Sequence, residues 1–332
     1  MIEFETKVVR WAIEPRGAAR GRTERVSLLL KHWDADGGLG FGEAAPLPGM
    51  SPESIDDVID ALTSGREPPR SMPSAWFAIE TAMLSAEAHR KGVSLSQLLL
   101  HEPPPAMLPT APVVDDLDEA RIAWSLGART FKLKIGPHEL QRVAEMAAAL
   151  PDARFRIDAN RSWPAGDARA MIAELARFPI DYVEEPCVHS HHLLDAELAL
   201  PIALDEGLRD VPADEMRAVL SSPQLATVVI KPTLLGLTTA FQIASRARSA
   251  VISHALEGSI GMAACCELAL ACKQPGPMGL APHPGTELWE PRVRQLSFYT
   301  IRPAGPGLGF DADCDTLRLV GLRADVDGDI DE

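Results

Sequence analysis

Six charged side chains, each in or at the end of a short apolar run, carry the chemistry this chain could perform. They are Lys132 and Lys134 in TFKLKIG, Asp158 in FRIDANRSW, Glu184 in DYVEEPC, Asp205 in IALDEG and Lys231 in VVIKPTLLG. Asp158, Glu184 and Asp205 together could supply three hard oxygen ligands. Without His or Cys among them, they suit Mg²⁺ or Mn²⁺ over Zn²⁺. Lys132 and Lys134 stand two apart, so on a strand they share a face. Two ammonium groups side by side repel, which moves one of them towards the general-base range. Lys231 would approach from the other side of the site, giving a lysine on each face of a substrate plane.

The elements that must position these groups follow from their spacing. From Lys134 the charges at 158, 184, 205 and 231 come in steps of 24, 26, 21 and 26 residues. A strand, a helix and two short loops take about that much chain, since a βαβ unit needs roughly 30 residues. Each charge then sits at the C-terminal tip of its own parallel strand, and in a (β/α) barrel those tips converge on one mouth. The clearest predicted strands are 154–158, 181–184, 202–205 and 228–231, with 251–254 another, in about six or seven βα units. Before them, FETKVVRWAI and ERVSLLLKHW read as strands, and GGLGFG (37–42) reads as a tight turn into a third run. From Ser51 the pattern turns helical, with a serine cap and a proline in the first turn, and 71–92 forms a second helix. Strands followed by helices predict an α+β unit. The Pro-rich HEPPPAMLPTAP marks a boundary. The expected division is an α+β capping domain over 1–98, joined by 300–332, and a barrel over 99–299.

Composition narrows the partners. The 332 residues are 46% hydrophobic and 24% charged, with a formal net charge of −15, which disfavours nucleic acid. A small anionic substrate would find its local positive charge in the lysines and a metal. No run of 18 or more apolar residues and no basic-then-apolar leader occurs, so neither a membrane span nor secretion is expected. Five cysteines outside CxxC spacing read as reduced thiols, and the expected location is cytoplasmic.

KLK, DAN, EEP, DE and KP in this order and spacing resemble the enolase superfamily, in the branch with two lysines facing each other across the site. Within it the match is with the o-succinylbenzoate synthase family, carried by GFGEAAPLPGMSPES (40–54), SMPSAWFAIETA (71–82), RIDANRSW (156–163), VEEPC (183–187), VVIKPTLLG (228–236), VISHALEGSIG (251–261) and PGTELWE (284–290). The resemblance implies an α/β fold, a (β/α)7β-type modified TIM barrel with an α+β capping domain. It implies Asp158, Glu184 and Asp205 as ligands of Mg²⁺, with Glu184 rather than Glu185 chosen by its place in EEP. It makes Lys134 the general base, Lys231 the opposite-face lysine that stabilises the intermediate, and Lys132 a neighbour that tunes Lys134. Arg156 and Asn160 would support Asp158, and Ser253 with the backbone at Gly258 and Ser259 would anchor the succinyl end. The implied reaction is α-proton abstraction followed by β-elimination of water, in menaquinone biosynthesis. The other readings are an N-acylamino acid racemase, dipeptide epimerase or cycloisomerase of the same branch, and a non-catalytic barrel used for binding.

Several segments invite other readings. The basic stretch 14–25 could close over a dicarboxylate or form a hairpin tip. His189, His191 and His192 read as a loop rather than a zinc site, because no fourth ligand falls at metal-like spacing. His254 departs from the family pattern, which places a small polar residue there. DVDGD (325–329) lacks the downstream Glu of a calcium loop, and Cys265 and Cys266 sit in an apolar helix that reads as core.

Overall fold

The computed structural model describes residues 4–15, 19, 21–64, 67–281, 283 and 299–310, with short strands at 289–290, 296–297 and 318–319. The acidic tail and most of PGTELWE lie outside the described residues, as do Arg16 and Arg20 of the basic stretch. No described helix is long and apolar enough to cross a membrane.

The N-terminal part is an antiparallel sheet, β1 (Glu5–Ala12), β2 (Glu24–Trp33) and β3 (Leu39–Ala44), in that order, with α1 (Ile55–Thr63) and α2 (Pro73–Arg90) beyond it. The cap of α1 is Ser54 rather than Ser51. Its side chain accepts from the Asp57 amide, and Asp57 in turn accepts from the Ser54 amide, a reciprocal pair that satisfies two otherwise open donors. Leu28, Leu30, Ala44, Val58, Ala75, Ala78, Ile79 and Ala82 form its apolar centre.

GGLGFG is more than a turn. Only its start closes a loop, where the Gly38 amide donates to Asp34 Oδ1 at 2.6 Å; Leu39–Ala44 is a fully buried strand. Methyl groups on Gly38, Gly40 and Gly42 would run into the carbonyl oxygens of Ala86, Ala82 and Ala78. Two residues of strand advance about 6.7 Å and four residues of helix about 6 Å. The stripe of alternate glycines therefore keeps step with successive turns of α2, and the helix backbone lies directly on the strand.

After α3 (Leu95–Leu100) the chain enters the barrel. β5 (Thr130–Lys134), β6 (Arg154–Asp158), β7 (Ile180–Glu184), β8 (Ile202–Leu204), β9 (Leu225–Ile230) and β10 (Ala250–Ile252) form one parallel sheet in sequential order. α4 (Leu117–Ser125) precedes β5, α5 (Leu140–Ala149) and α6 (Ala168–Leu175) follow β5 and β6, α7 (Met216–Ser221) and α8 (Leu237–Arg246) follow β8 and β9, and α9 (Ser259–Ala271) follows β10, while a 3₁₀ turn, Ser190–Asp195, is the helical element between β7 and β8. The ring closes through two irregular segments that sequence patterning did not assign as strands. Val113 bridges Lys132, Gly279 bridges Ser253, and Met278 bridges Thr110, all in parallel. The Lys132 amide donates to Pro112 at 2.8 Å, Ala111 to Met278 at 2.8 Å and Gly279 to Ile252 at 2.9 Å. The Pro-rich break thus supplies the first stave and the stretch after Gly276 the last. Residues 299–310 return to the cap: Thr300–Ile301 pairs with β4 (Leu108–Pro109), the Leu95 amide donates to Gly307 at 2.9 Å, and Phe310 packs edge-on against Phe41.

Gly42→Ala must lift α2 off β3, and is expected to cost about 2–3 kcal/mol of stability, the usual scale of overpacking. Gly166→Ala, where the added methyl meets open space, is the control and should stay within about 0.5 kcal/mol. Urea unfolding of both variants measures the difference.

Candidate active site

Strand register sets the height of each charge in the barrel. Lys134, Asp158 and Glu184 are paired across β5, β6 and β7 as the last residues of their strands. Asp205 and Lys231 immediately follow β8 and β9. Lys132, Arg156 and Tyr182 form the layer beneath. Counting the closing segments, β5 and β9 are four staves apart in a ring of eight, so Lys134 and Lys231 face each other across the mouth. Asp158, Glu184 and Asp205 occupy the three staves between them.

All these groups open into one cavity of about 460 Å³, within the range of small-molecule sites. Beside Lys132 and Arg156 its floor has an apolar part: Val229 and Val251 with the Tyr182 ring, members of a small cluster inside the barrel. Leu47, Gly49 and Met50 from the cap and Ala255 and Leu256 from the barrel cover one side. Arg22, Arg161 and Arg209 add positive charge at the rim, a local reversal of the overall acidity that favours an anionic substrate. Of the basic stretch, Arg22 is tied down, donating to Ala19 at 3.2 Å and to Pro48 at 2.8 Å. Tyr182 and Arg209 are not among the residues expected at the site, whereas Arg22 belongs to the basic stretch 14–25 expected to meet a dicarboxylate. Tyr182 is legible by alternation, two residues before Glu184 on the same face; Arg209 arrives from a short turn that carries no periodic signal.

The Lys132 ammonium lies 2.9 Å from Asp158 Oδ2 and 2.7 Å from Glu184 Oε1. Burial works against its charge, but Asp158, Glu184 and Asp205 outweigh burial and hold it well above the ordinary lysine value. Repulsion from Lys134 therefore does not loosen the Lys132 proton. Asp158 would be raised by burial, yet Lys132 and Lys134 bring it below the usual carboxylate range. Glu184 is pushed by burial up to about 7, against the pull of Lys132. Lys231 is bonded to Asp205, which overcomes burial and raises it. His254 also lines the cavity. Burial, reinforced by His283 and Lys231, lowers it to about 3, so it stands as a neutral imidazole.

The second acid of EEP has separate work. Glu185, 1% exposed, accepts from the Asp205 amide at 2.8 Å, the Gly207 amide at 2.7 Å and Arg161 Nε at 3.0 Å. It fastens the loop carrying Asp205 to the tip of β7. A side chain at Gly207 would collide with its carboxylate. Asn160 lines the cavity, and its backbone N–H donates to Asp158 Oδ1 at 3.0 Å. Arg156 does not support Asp158: its guanidinium crosses to the Pro277 carbonyl at 2.7 Å and approaches Asp181 at 3.8 Å. Ser253 faces the cavity, donating to Gly279 at 3.1 Å. Gly258 and Ser259 are buried but are not among the cavity-lining residues. The Gly258 amide is taken by Glu43 at 2.7 Å, which leaves it nothing to offer a substrate.

The donor chemistry at the three tips is all carboxylate oxygen, on neighbouring strands, and fits a hard divalent cation. Among the described residues no three His, Cys, Asp or Glu side chains close around a single point, because Lys132 bridges Asp158 and Glu184 while Lys231 engages Asp205. Glu185→Ala removes the acceptor of two amides and leaves Arg161 to its ion pair with Asp210, and should cost about 3 kcal/mol in a urea titration, the scale of losing hydrogen bonds to a charged group.

Comparison with known proteins agrees with this fold. The family model described as "Enolase C-terminal domain-like" matches residues 115–316. An o-succinylbenzoate synthase of Klebsiella pneumoniae (strain 342) is 31% identical over 285 residues, covering 77% of this chain and 84% of that protein. One of Haemophilus influenzae is 33% identical over 262 residues, covering 69% and 74%. Among solved structures, a muconate lactonizing enzyme from Pseudomonas fluorescens complexed with muconolactone superposes with a TM-score of 0.80 at 22% identity, over 95% of this chain and 97% of that one. The L-Ala-D/L-Glu epimerase of Bacillus subtilis gives 0.78 at 22% identity, over 92% and 97%; both likenesses speak for the fold. These relatives set aside the reading as a non-catalytic barrel. The chain belongs to the enolase superfamily and is a lyase.

Proposed function

We propose that this enzyme is a Mg²⁺-dependent dehydratase that converts 2-succinyl-6-hydroxy-2,4-cyclohexadiene-1-carboxylate to o-succinylbenzoate. The observation that carries the reading is the opposition of Lys134 and Lys231 across a mouth whose intervening strands bear three carboxylates; the identity to o-succinylbenzoate synthases supports the substrate. Asp158, Glu184 and Asp205 would hold the divalent ion, which would supply positive charge to a substrate carboxylate as negative charge builds on it. In this reading Lys134, in its neutral amine form, takes the proton from the carbon next to that carboxylate. The electron pair left behind forms a new ring double bond as the C–O bond breaks, and the departing hydroxyl takes the proton back from Lys134, so that water leaves and the amine is regenerated. Lys231, kept cationic beside Asp205, faces the other side of the ring and offsets its developing negative charge without moving a proton. Lys132 keeps Asp158 and Glu184 apart in charge and places them. The new ring is aromatic, so the elimination runs downhill and asks mainly for positioning.

The same opposed lysines favour a second reading, racemisation of N-acylamino acids or a related epimerisation, in which both lysines exchange protons. The two readings separate cleanly. With Mg²⁺ the purified protein should aromatise the cyclohexadiene, followed by absorbance, and excess EDTA should stop the reaction. Lys134→Ala should lower kcat by at least about a thousandfold, as expected for loss of a positioned base. Unchanged cyclohexadiene in the wild-type assay sinks the dehydratase assignment. Racemisation predicts α-proton exchange of acylamino acids in deuterated water that Lys231→Arg abolishes; absence of exchange in the wild type rejects it.

A further inference from the structure

We propose that Arg25 is a positioning residue that holds the cap segment 45–46 and the barrel loop 255–256 at a fixed separation, and so sets one wall of the substrate cavity. Arg25 rises from β2 and is 3% exposed. Its guanidinium donates to both sides of the seam: to Ala45 at 2.8 Å and Pro46 at 2.9 Å in the cap, and to Leu256 at 3.1 Å and Ala255 at 3.4 Å in the barrel. A planar fork with five N–H donors can span four carbonyls in this way, whereas an ammonium is a compact point charge.

Both ends of this bridge bear on the site. Leu47, Gly49 and Met50 continue the cap segment onto the cavity, and Ala255 and Leu256 line it from the barrel. Leu256 is held in a left-handed conformation, φ 63°, which a leucine avoids unless its surroundings impose it. Its carbonyl is taken by Arg25 and its amide donates to His254 Nδ1 at 3.2 Å. The buried positive charge is offset close by. Glu43 accepts from the Gly258 amide at 2.7 Å and the Gly261 amide at 2.8 Å, and Glu257 accepts from the Ala255 amide at 2.7 Å. Arg25 bonds none of the six charges at the strand tips, so its loss loosens the wall and leaves proton transfer intact.

The kinetic part of the test rests on the dehydratase reading. Arg25→Lys and Arg25→Ala should raise KM for the cyclohexadiene about tenfold while kcat stays within about threefold, the pattern of lost uniform binding. Guanidinium at millimolar concentration should lower the KM of Arg25→Ala again, and ammonium should not. An unchanged KM, a kcat loss larger than the KM change, or equal rescue by ammonium overturns the proposal. Hydrogen–deuterium exchange judges Arg25 without a substrate: peptides covering 43–50 and 252–258 should exchange faster in Arg25→Lys than in the unaltered protein while one covering 154–158 is unchanged, and equal exchange in the two proteins overturns the proposal. If the wild type leaves the cyclohexadiene intact, the dehydratase reading fails while the exchange result still judges Arg25.

Discussion

Like charges crowded at the tips of neighbouring strands are the constraint on which the rest of this structure depends. Asp158, Glu184 and Asp205 sit on three adjacent staves, half-buried or buried, where their mutual repulsion is poorly screened. Two lysines answer it: Lys132 between Asp158 and Glu184, and Lys231 against Asp205. The residual strain shows in Glu184, which burial still pushes up to about 7. Glu185 would be a fourth charge in the same place. It is turned away to bind the amides of Asp205 and Gly207, so the sequence EE separates into one acid that faces the cavity and one that fixes a loop.

The cap is fastened to the barrel by groups of the same kind. Carboxylates reach across the seam to the open amides at helix starts, where negative charge is favoured. Glu43 of the cap serves Gly258 and Gly261 at the start of α9, Glu80 of the cap serves Thr238 in α8, and Glu267 of the barrel serves Ser96 in α3. With the glycine stripe of β3 pressed on α2, these bonds make the cap part of the cavity wall. Leu47, Met50, Ala255 and Leu256 are cavity-lining residues of that wall.

Much of this was legible in the sequence because βα repetition has a period and strands have a parity. Arg154–Asp158 is the predicted strand residue for residue, and the predicted tips of β7, β8 and β9 lie within one residue of those found. The same parity brought Lys132, Lys134 and Asp158 to one interior. The staves at 110–114 and 278–280 were hidden because proline-rich backbone pairs there through isolated bridges, with no apolar run to announce it. Three alternate glycines read as a turn because their reason is the partner helix, which a local pattern does not contain. Arg156 was assigned to Asp158 by nearness in sequence, yet it spans the barrel to a carbonyl 121 residues away. Gly258 is hidden for the same reason, since the partner that claims its amide, Glu43, lies 215 residues earlier.

The account stands or falls on whether the three carboxylates act together towards a cation. Calorimetric titration of Mg²⁺ into the protein with o-succinylbenzoate present tests this most directly. The account predicts one Mg²⁺ bound per chain, with affinity reduced at least about a hundredfold in Glu184→Gln and left unaltered in Gly166→Ala, in keeping with removal of a charged ligand from a hard-cation site. No heat of binding in the wild type, or the same affinity after Glu184→Gln, would contradict it.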